Sequence, residues 1–443
     1  MGKRDLTVDW RSDYERKLVS AEEAAATVQS GDHVWWPPAH GSPSFLLALA
    51  ARKDELRDVE VRGIIIPDAG WFTTDAMEAF HIASQFASLF DRHAIESKVL
   101  DYHPYWLVGI HKALDAGRTD EAWPIDKLVI VVSPPNERGF VSLGGSVWDG
   151  VTSVPRSKTV IAEVNPNVIE TFGDSWLHVS EIDQFVADDR PVVPDVPGYT
   201  PEAVDYAMAA HVAELVHDGD TIQVGVGTHA GSLALAGAFD GKQELNYFAE
   251  LTVPGIVPLV ERGIITGRTS QLHPNRAVAT VMGNTVAERA AVHRNPHYEL
   301  YGIEYLLDPR VISKNERLVA INGALTIDLS GQIGVHTIGR RVYAGVGGHL
   351  AFALGAYLAP KGRYVTVLPS TAMGGTVSTI TPEFEAGQVV TVPRDIADTV
   401  VTEQGIARLL GKTVRQRADE LISVAHPDFR GELRKAAKKL FYP

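Results

Sequence analysis

Apolar positions along this chain fall into two alternating patterns. Stretches with helical spacing, such as Ala21–Gln29 and Ala209–His217, give way to short runs that are apolar at nearly every position, such as Lys127–Ser133 (KLVIVVS) and Arg363–Pro369 (RYVTVLP). Helical spacing marks a helix with one buried stripe, whereas a near-continuous apolar run bounded by Gly, Pro or Ser marks a strand covered on both faces. Strands of that kind alternating with helices predict an α/β fold with mainly parallel sheets.

The pattern also repeats. In residues 21–56 and again in 209–245, an amphipathic helix runs into Gly-Asp (Gly31-Asp32, Gly219-Asp220), followed by a short apolar strand (His33–Trp36, Thr221–Val224). A loop ending in Gly-Ser and a second helix follow in both copies, 188 to 190 residues apart. The runs Lys127–Ser133 and Arg363–Pro369 are a second expected correspondence. Between the copies lies RPVVPDVPGYTP, with Pro191, Pro194, Pro197 and Pro201. Proline at that density makes a non-helical, semi-rigid spacer. Two tandem, internally duplicated α/β domains are therefore expected, over residues 1–192 and 193–443. Length agrees, since 443 residues exceed the roughly 250–300 at which one core stops growing. Duplicated α/β units hold ligands at the C-terminal ends of their strands.

Charge and composition narrow the chemistry. A net charge of −14 repels phosphate backbones and argues against nucleic acid as a partner, while leaving room for a small anionic ligand at a local positive site. The absence of cysteine removes disulfides, thiolate metal sites and cysteine nucleophiles together. Residues 1–13 are charged and polar, and no window approaches ~18 uninterrupted apolar residues. A cytoplasmic protein with no membrane association is the expectation.

Several residues stand out as candidates. The loop Gly225-Val226-Gly227-Thr228-His229-Ala230-Gly231 joins a strand to a helix, where glycines admit a ligand to the backbone and the helix start offers free N–H groups. Any tight strand-to-helix turn favours glycine, and the equivalent Pro37-Pro38-Ala39-His40-Gly41 lacks the pattern, so anion contact is expected and NAD binding is not. Gly345-Val346-Gly347-Gly348 offers a run of accessible N–H groups suited to an oxyanion. Glu250 is an acid inside the apolar stretch Tyr247–Val253, costly there unless paired or useful, with its first-copy counterpart at about Val61. The pattern alone leaves open that Glu250 lies on the exposed side of a half-buried strand. Glu403 is expected to cap or brace a following helix. His293 and His297 are four apart, but Pro296 intervenes and no carboxylate motif accompanies them, so no metal site is expected. Ser146 lacks the final glycine of a nucleophile elbow. Trp35 and Trp36 face opposite ways in a strand, one toward core and the other, taken as Trp36, toward a pocket; His40 and His229 sit near the two equivalent ligand loops.

These segments resemble the acetyl-CoA hydrolase/transferase family, which includes 4-hydroxybutyrate and succinyl-CoA:acetate CoA-transferases. The resemblance is carried by VVTEQGIARLLGK, RADELI and AHPDFR within Val400–Arg430, by Ile321–Gly334 (INGALTIDLSGQIG), GVGG (345–348), LPSTAMGG (368–375) and PEFEAGQVVTVPR (382–394). In the first half, Ser133–Val147 and Ala162–Asp183 also fit, so it covers nearly the whole chain in order. It implies the open α/β CoA-transferase fold, a homodimer, no permanently bound cofactor, and acyl-CoA and small carboxylic acids as substrates. It further implies a ping-pong mechanism through a glutamyl-CoA thioester, with Glu250 as nucleophile. Backbone N–H groups at Val226 and at Gly347 or Gly348 would form the oxyanion hole, with Gly227 and Gly345 in the same loops. An acyl-CoA hydrolase on the same scaffold, or a non-catalytic acyl-CoA binder, are the alternatives. The chain departs from the family pattern at Pro254, Ala351, Ala230 and Thr379, where Asp, Asp, Pro and Arg are usual, and at Trp35-Trp36, where smaller residues are; these changes point either to a different acyl or acceptor group or to altered or lost transferase activity.

Overall fold

The computed structural model describes residues 4–38, 44–87, 92–191 and 200–443. His40 and the centre of the proline-rich spacer lie outside the described residues. The chain divides into two compact units, one of Met1–Val196 with Thr280–Glu304 and the other of Pro197–Ala279 with Tyr305–Pro443. The units are thus not contiguous halves, because Thr280–Glu304 goes with the first.

The first unit is built on eight strands: β1 (Leu18–Val19), β2 (His33–Trp36), β3 (Val59–Gly63), β4 (Phe80–Ser84), β5 (Asp101–Tyr102), β6 (Ile125–Val132), β7 (Ser157–Val164) and β8 (Gln184–Ala187). They lie in the order β1-β8-β7-β6-β2-β3-β4-β5, and every pairing is parallel. Seven of the eight residues of β6 are buried, as expected of a strand covered on both faces. Helix α1 (Ala21–Ala26) starts where Ser20 and Glu23 cap each other: Glu23 N–H donates to Ser20 Oγ at 3.0 Å, and Ser20 N–H to Glu23 Oε2 at 2.8 Å. Trp35 and Trp36 do point to opposite faces. Trp36 packs in a core with Phe45, Leu46 and Leu49 of α2 (Ser44–Ala50). Trp35 packs with Leu128 and Ile130, and its indole N–H donates to buried Asp149 at 2.8 Å.

The second unit repeats the plan. The strands of its main sheet are β9 (Thr221–Val224), β10 (Asn246–Phe248), β11 (Ala277–Ala279), β12 (Leu318–Gly323), β13 (Arg363–Val367), β14 (Thr399–Thr402) and β15 (Gly405–Arg408). Their order is β15-β14-β13-β12-β9-β10-β11, parallel except for the β14–β15 hairpin. All four residues of β9 are buried, so Gln223 needs a partner. It finds one in Asn322 on β12, through a reciprocal amide pair at 3.1 and 2.8 Å.

Superposing the two strand orders corrects two expectations. The strand equivalent to β6 is β12, since each lies beside the Gly-Asp strand, whereas β13 occupies the place of β7. Lys127–Ser133 and Arg363–Pro369 are therefore not counterparts; both read as apolar strands because both are buried on two faces. Register supplies the second correction. His33 pairs with Glu60 and Thr221 with Asn246, so Asn246 corresponds to Glu60 and Glu250 to Ile64, three residues beyond Val61. The connections before β3 and β10 differ in length, which a fixed spacing does not capture.

Candidate active site

Because β9 to β14 run parallel, their C-terminal ends share one edge, and the turns leaving β9, β10 and β13 gather there. The turn after β9 carries Gly225, Val226 and Gly227, and leads into α4 (Thr228–Ser232) after α3 (Ala203–Leu215). The neighbouring turn after β10 carries Glu250. Gly227 has φ +125°, a conformation that suits glycine. Gly225 is needed for space instead, since a Cβ there would run into the Asn322 amide.

The carboxylate of Glu250 meets the start of helix α5 (His349–Leu358). Gly348, the N-cap of that helix, donates its N–H to Glu250 Oε2 at 2.6 Å. The partial positive charge of a helix start favours an anion in this place. Gly348 itself has φ −82° and ψ 1°, so a side chain would not strain the backbone. What a side chain lacks is room: a Cβ would meet Glu250 Oε2, and Leu307 Cδ2 at 2.7 Å. Gly347, by contrast, has φ +53° and uses the conformational freedom of glycine. Gly345 is buried in the same loop.

Glu250 as a residue is half-buried, yet its carboxyl group is closely surrounded by protein. Loss of hydration pushes its pKa up, the Gly348 N–H pulls it down, and the balance leaves it at about 7. A poorly hydrated carboxylate, ionised only near neutrality, is a better nucleophile than an ordinary surface glutamate.

The other expected site residues are placed as follows. Val226 is 46% exposed at the strand-end edge. His229, on α4, is held through Nδ1 by Asp205 Oδ1 at 2.8 Å; the other oxygen of buried Asp205 accepts the Glu202 N–H that caps α3. Trp36 is 3% exposed in the core of the first unit. Glu403 does not brace a helix. It lies in the β14–β15 hairpin turn and accepts hydrogen bonds from the Ser370 N–H at 2.9 Å and from the Ser370 hydroxyl, fixing the turn after β13. His229, Glu403, Gln404, His426 and Met373 line a cavity of about 600 Å³ in this unit. His426 and Met373 were not among the expected residues, and no spacing rule marks them. Ala230 and Ala351 are fully packed inside α4 and α5, and Thr379 donates its hydroxyl proton to Pro369 O at 2.6 Å. In the first unit, Ser146 donates to Pro38 O at 2.7 Å and His293 Nδ1 accepts the Glu170 N–H at 3.0 Å. Among the described residues, no group of three or more His, Asp or Glu side chains is placed to hold a metal ion, and no helix is long and apolar enough to cross a membrane.

Residues 1–197 match the acetyl-CoA hydrolase/transferase N-terminal domain, and residues 287–437 match the acetyl-CoA hydrolase/transferase C-terminal domain. The chain is 35% identical to 4-hydroxybutyrate coenzyme A transferase of Clostridium kluyveri, over 98% of this chain and 100% of that one. It is 34% identical to succinyl-CoA:cyclohexane-1-carboxylate CoA transferase of Geobacter metallireducens, over 97% of each. Among solved structures, RipA from Yersinia pestis superposes with a TM-score of 0.90 at 29% identity, covering 98% of this chain and 100% of that one. With both domain models matched in order and relatives aligned end to end, the chain belongs to the acetyl-CoA hydrolase/transferase family.

Proposed function

We propose that this enzyme moves coenzyme A from an acyl-CoA to a carboxylic acid by a ping-pong mechanism, through a glutamyl-CoA thioester on Glu250. The observation that carries the reading is the Glu250 carboxylate, shielded from water and receiving the Gly348 N–H at 2.6 Å. The Clostridium kluyveri and Geobacter metallireducens relatives are CoA transferases, which supports CoA transfer as the reaction class.

The chemistry follows from that pairing. The Glu250 carboxylate attacks the thioester carbonyl, the carbon–sulfur bond breaks, and a mixed anhydride and CoA thiolate result. The thiolate attacks the glutamyl carbonyl, releasing the donor acid and leaving the enzyme thioester. An acceptor carboxylate attacks that thioester and expels the thiolate, which then attacks the acyl side of the new anhydride to give the new acyl-CoA and free Glu250. Each attack on the glutamyl carbonyl places negative charge on the glutamyl oxygen, where the Gly348 N–H already points. The Val226 and Gly347 N–H groups are the donors for the oxyanion of the acyl carbonyl. A carboxylate needs no general base to become nucleophilic, so positioning and preset donors carry the catalysis. The cavity beside His229 and Glu403 gives room for the remainder of a long thioester substrate.

Hydrolysis is the second reading, favoured by the family's mixed description. Water would replace the acceptor acid at the glutamyl thioester. Release of CoA thiol is measured with and without added acetate, butyrate or succinate. Transfer requires the acid and forms its CoA ester, whereas steady thiol release without any acid would assign hydrolysis.

A further inference from the structure

We propose that His349 and Tyr364 act as a positioning pair that aims the Gly348 N–H at the carboxylate of Glu250. The proposal rests on the reading of Glu250 as nucleophile. Helix α5 begins without a side-chain cap, because its N-cap is a glycine. Something else must hold its first turn if the 2.6 Å bond to Glu250 is to keep its direction. His349, the first residue of the helix, is buried, and its Nε2 is hydrogen-bonded to the Tyr364 hydroxyl on β13, the strand that follows the helix. The two rings meet edge to face, 5.7 Å between centroids. Tyr364 is anchored in turn, its N–H donating to Asp398 Oδ2 at 3.0 Å.

The rest of the loop is held as well. On its far side, the Tyr343 and Ala344 N–H groups donate to His336 O at 2.8 and 3.3 Å, and His336 Nδ1 is bonded to Thr391 Oγ1 at 2.8 Å. Further along α5, a Cβ on Gly355 would run into Ile312, so the helix has no slack on that face. The glycine loop is therefore pinned at both ends, and His349–Tyr364 is the pin next to Gly348.

A purely structural role is the rival explanation, and the chemistry of the pair weighs against it. Two apolar side chains would fill the same volume without the cost of drying an imidazole and a phenol. Burial, with His336 nearby, pushes the His349 pKa down to about 3, and burial pushes Tyr364 above its ordinary value. Both groups therefore stay neutral while Glu250 titrates, and the bond between them does not change with pH over that range. A fixed geometry beside an ionising nucleophile is what a positioning element supplies, and sub-ångström placement matters to reactivity there.

Tyr364→Phe removes one oxygen and leaves the ring; His349→Gln keeps an amide able to bond the tyrosine; His349→Phe removes the bond from the other end. Rates of CoA transfer from butyryl-CoA to acetate are measured across pH, with thermal unfolding of each variant. Loss of aim costs part of a charge-assisted hydrogen bond, so Tyr364→Phe and His349→Phe are expected to lower kcat about 5- to 30-fold with KM changed less than about twofold. The acid limb of kcat/KM should move up by roughly half to one pH unit. His349→Gln should recover most of the rate, and the double variant should be no slower than either single one. Folded Tyr364→Phe with the parent rate and limb would overturn the proposal. So would a double variant whose losses multiply, or a Tyr364→Phe that fails to fold, which would assign the pair to stability. Failure of the underlying reading looks different: Glu250→Ala would then keep its transfer activity, whatever the pair does.

Discussion

Replacing Gly348 with alanine tests the site with a single methyl group. The backbone there is one that alanine adopts freely, so the change adds no φ/ψ strain. The new Cβ instead points into Glu250 Oε2 and would sit 2.7 Å from Leu307 Cδ2, well inside van der Waals contact. The carboxylate must retreat, and the 2.6 Å bond from the Gly348 N–H is lost. A hydrogen bond to a charged group contributes roughly 1.5–3 kcal/mol, which corresponds to about 10- to 150-fold in rate if the interaction is fully expressed in the transition state. Part of the loss is electrostatic. Without the N–H, the Glu250 pKa rises above its value of about 7, so less nucleophile is ionised at neutral pH. A rise of one unit would cut the ionised fraction roughly threefold at pH 7.5, and the remainder would be misplacement and lost oxyanion stabilisation. The assay is the initial rate of acyl transfer from butyryl-CoA to acetate between about pH 5.5 and 9, with thermal unfolding measured in parallel. The expected result is a large fall in kcat, an acid limb displaced upward, and a folded protein. A Gly348→Ala enzyme within twofold of the parent, with an unmoved limb, would mean that the Gly348 N–H neither holds nor tunes Glu250.

Three further outcomes follow from the same structure. Glu250→Gln should abolish transfer yet raise thermal stability at pH 8: the folded pKa of about 7 exceeds the ordinary 4.5, so the ionised group weakens the fold as pH rises through that window. Allowing for its partly open position, the gain is about 1–3 kcal/mol, checked by denaturant unfolding at pH 5 and pH 8. Glu163, fully buried and bonded through Oε1 to the Ser44 hydroxyl at 2.9 Å and the Phe45 N–H at 2.6 Å, is likewise pushed up to about 7. The parent should therefore lose stability between pH 5 and 8, and Glu163→Gln should flatten that slope; an unchanged slope contradicts the assignment. Gly225→Ala should destabilise the second unit by about 1–3 kcal/mol by forcing apart the Gln223–Asn322 amide pair, read as a lower unfolding midpoint.

The α/β class, the parallel sheets and the repeat around the two Gly-Asp turns were legible because local rules write them. Gly31 and Gly219 both adopt positive φ, at +84° and +77°, so both copies keep a glycine where the chain turns into its strand. Glu250 was visible as an acid where the pattern called for an apolar residue. Its partner was not: Gly348 lies 98 residues away, and no periodicity records which helix start faces which strand end. The same limit hid the His349–Tyr364 bond and the His229–Asp205 pair. Glu403 was misread because a β-branched run followed by Glu-Gln-Gly resembles a helix start, whereas the chain folds straight back through β15 into a hairpin. The strand correspondence failed for a related reason: two-sided burial makes every central strand look alike, and only pairing order tells them apart.

The central claim is a covalent intermediate on Glu250, and intact mass spectrometry tests it most directly. The protein is incubated with acetyl-, butyryl- or succinyl-CoA, then reduced with borohydride and mapped by peptide. The expected result is a CoA-sized adduct that borohydride converts to an alcohol at Glu250, absent from Glu250→Ala. Acyl transfer proceeding at full rate with no adduct at Glu250, or with an adduct at another residue, would contradict it.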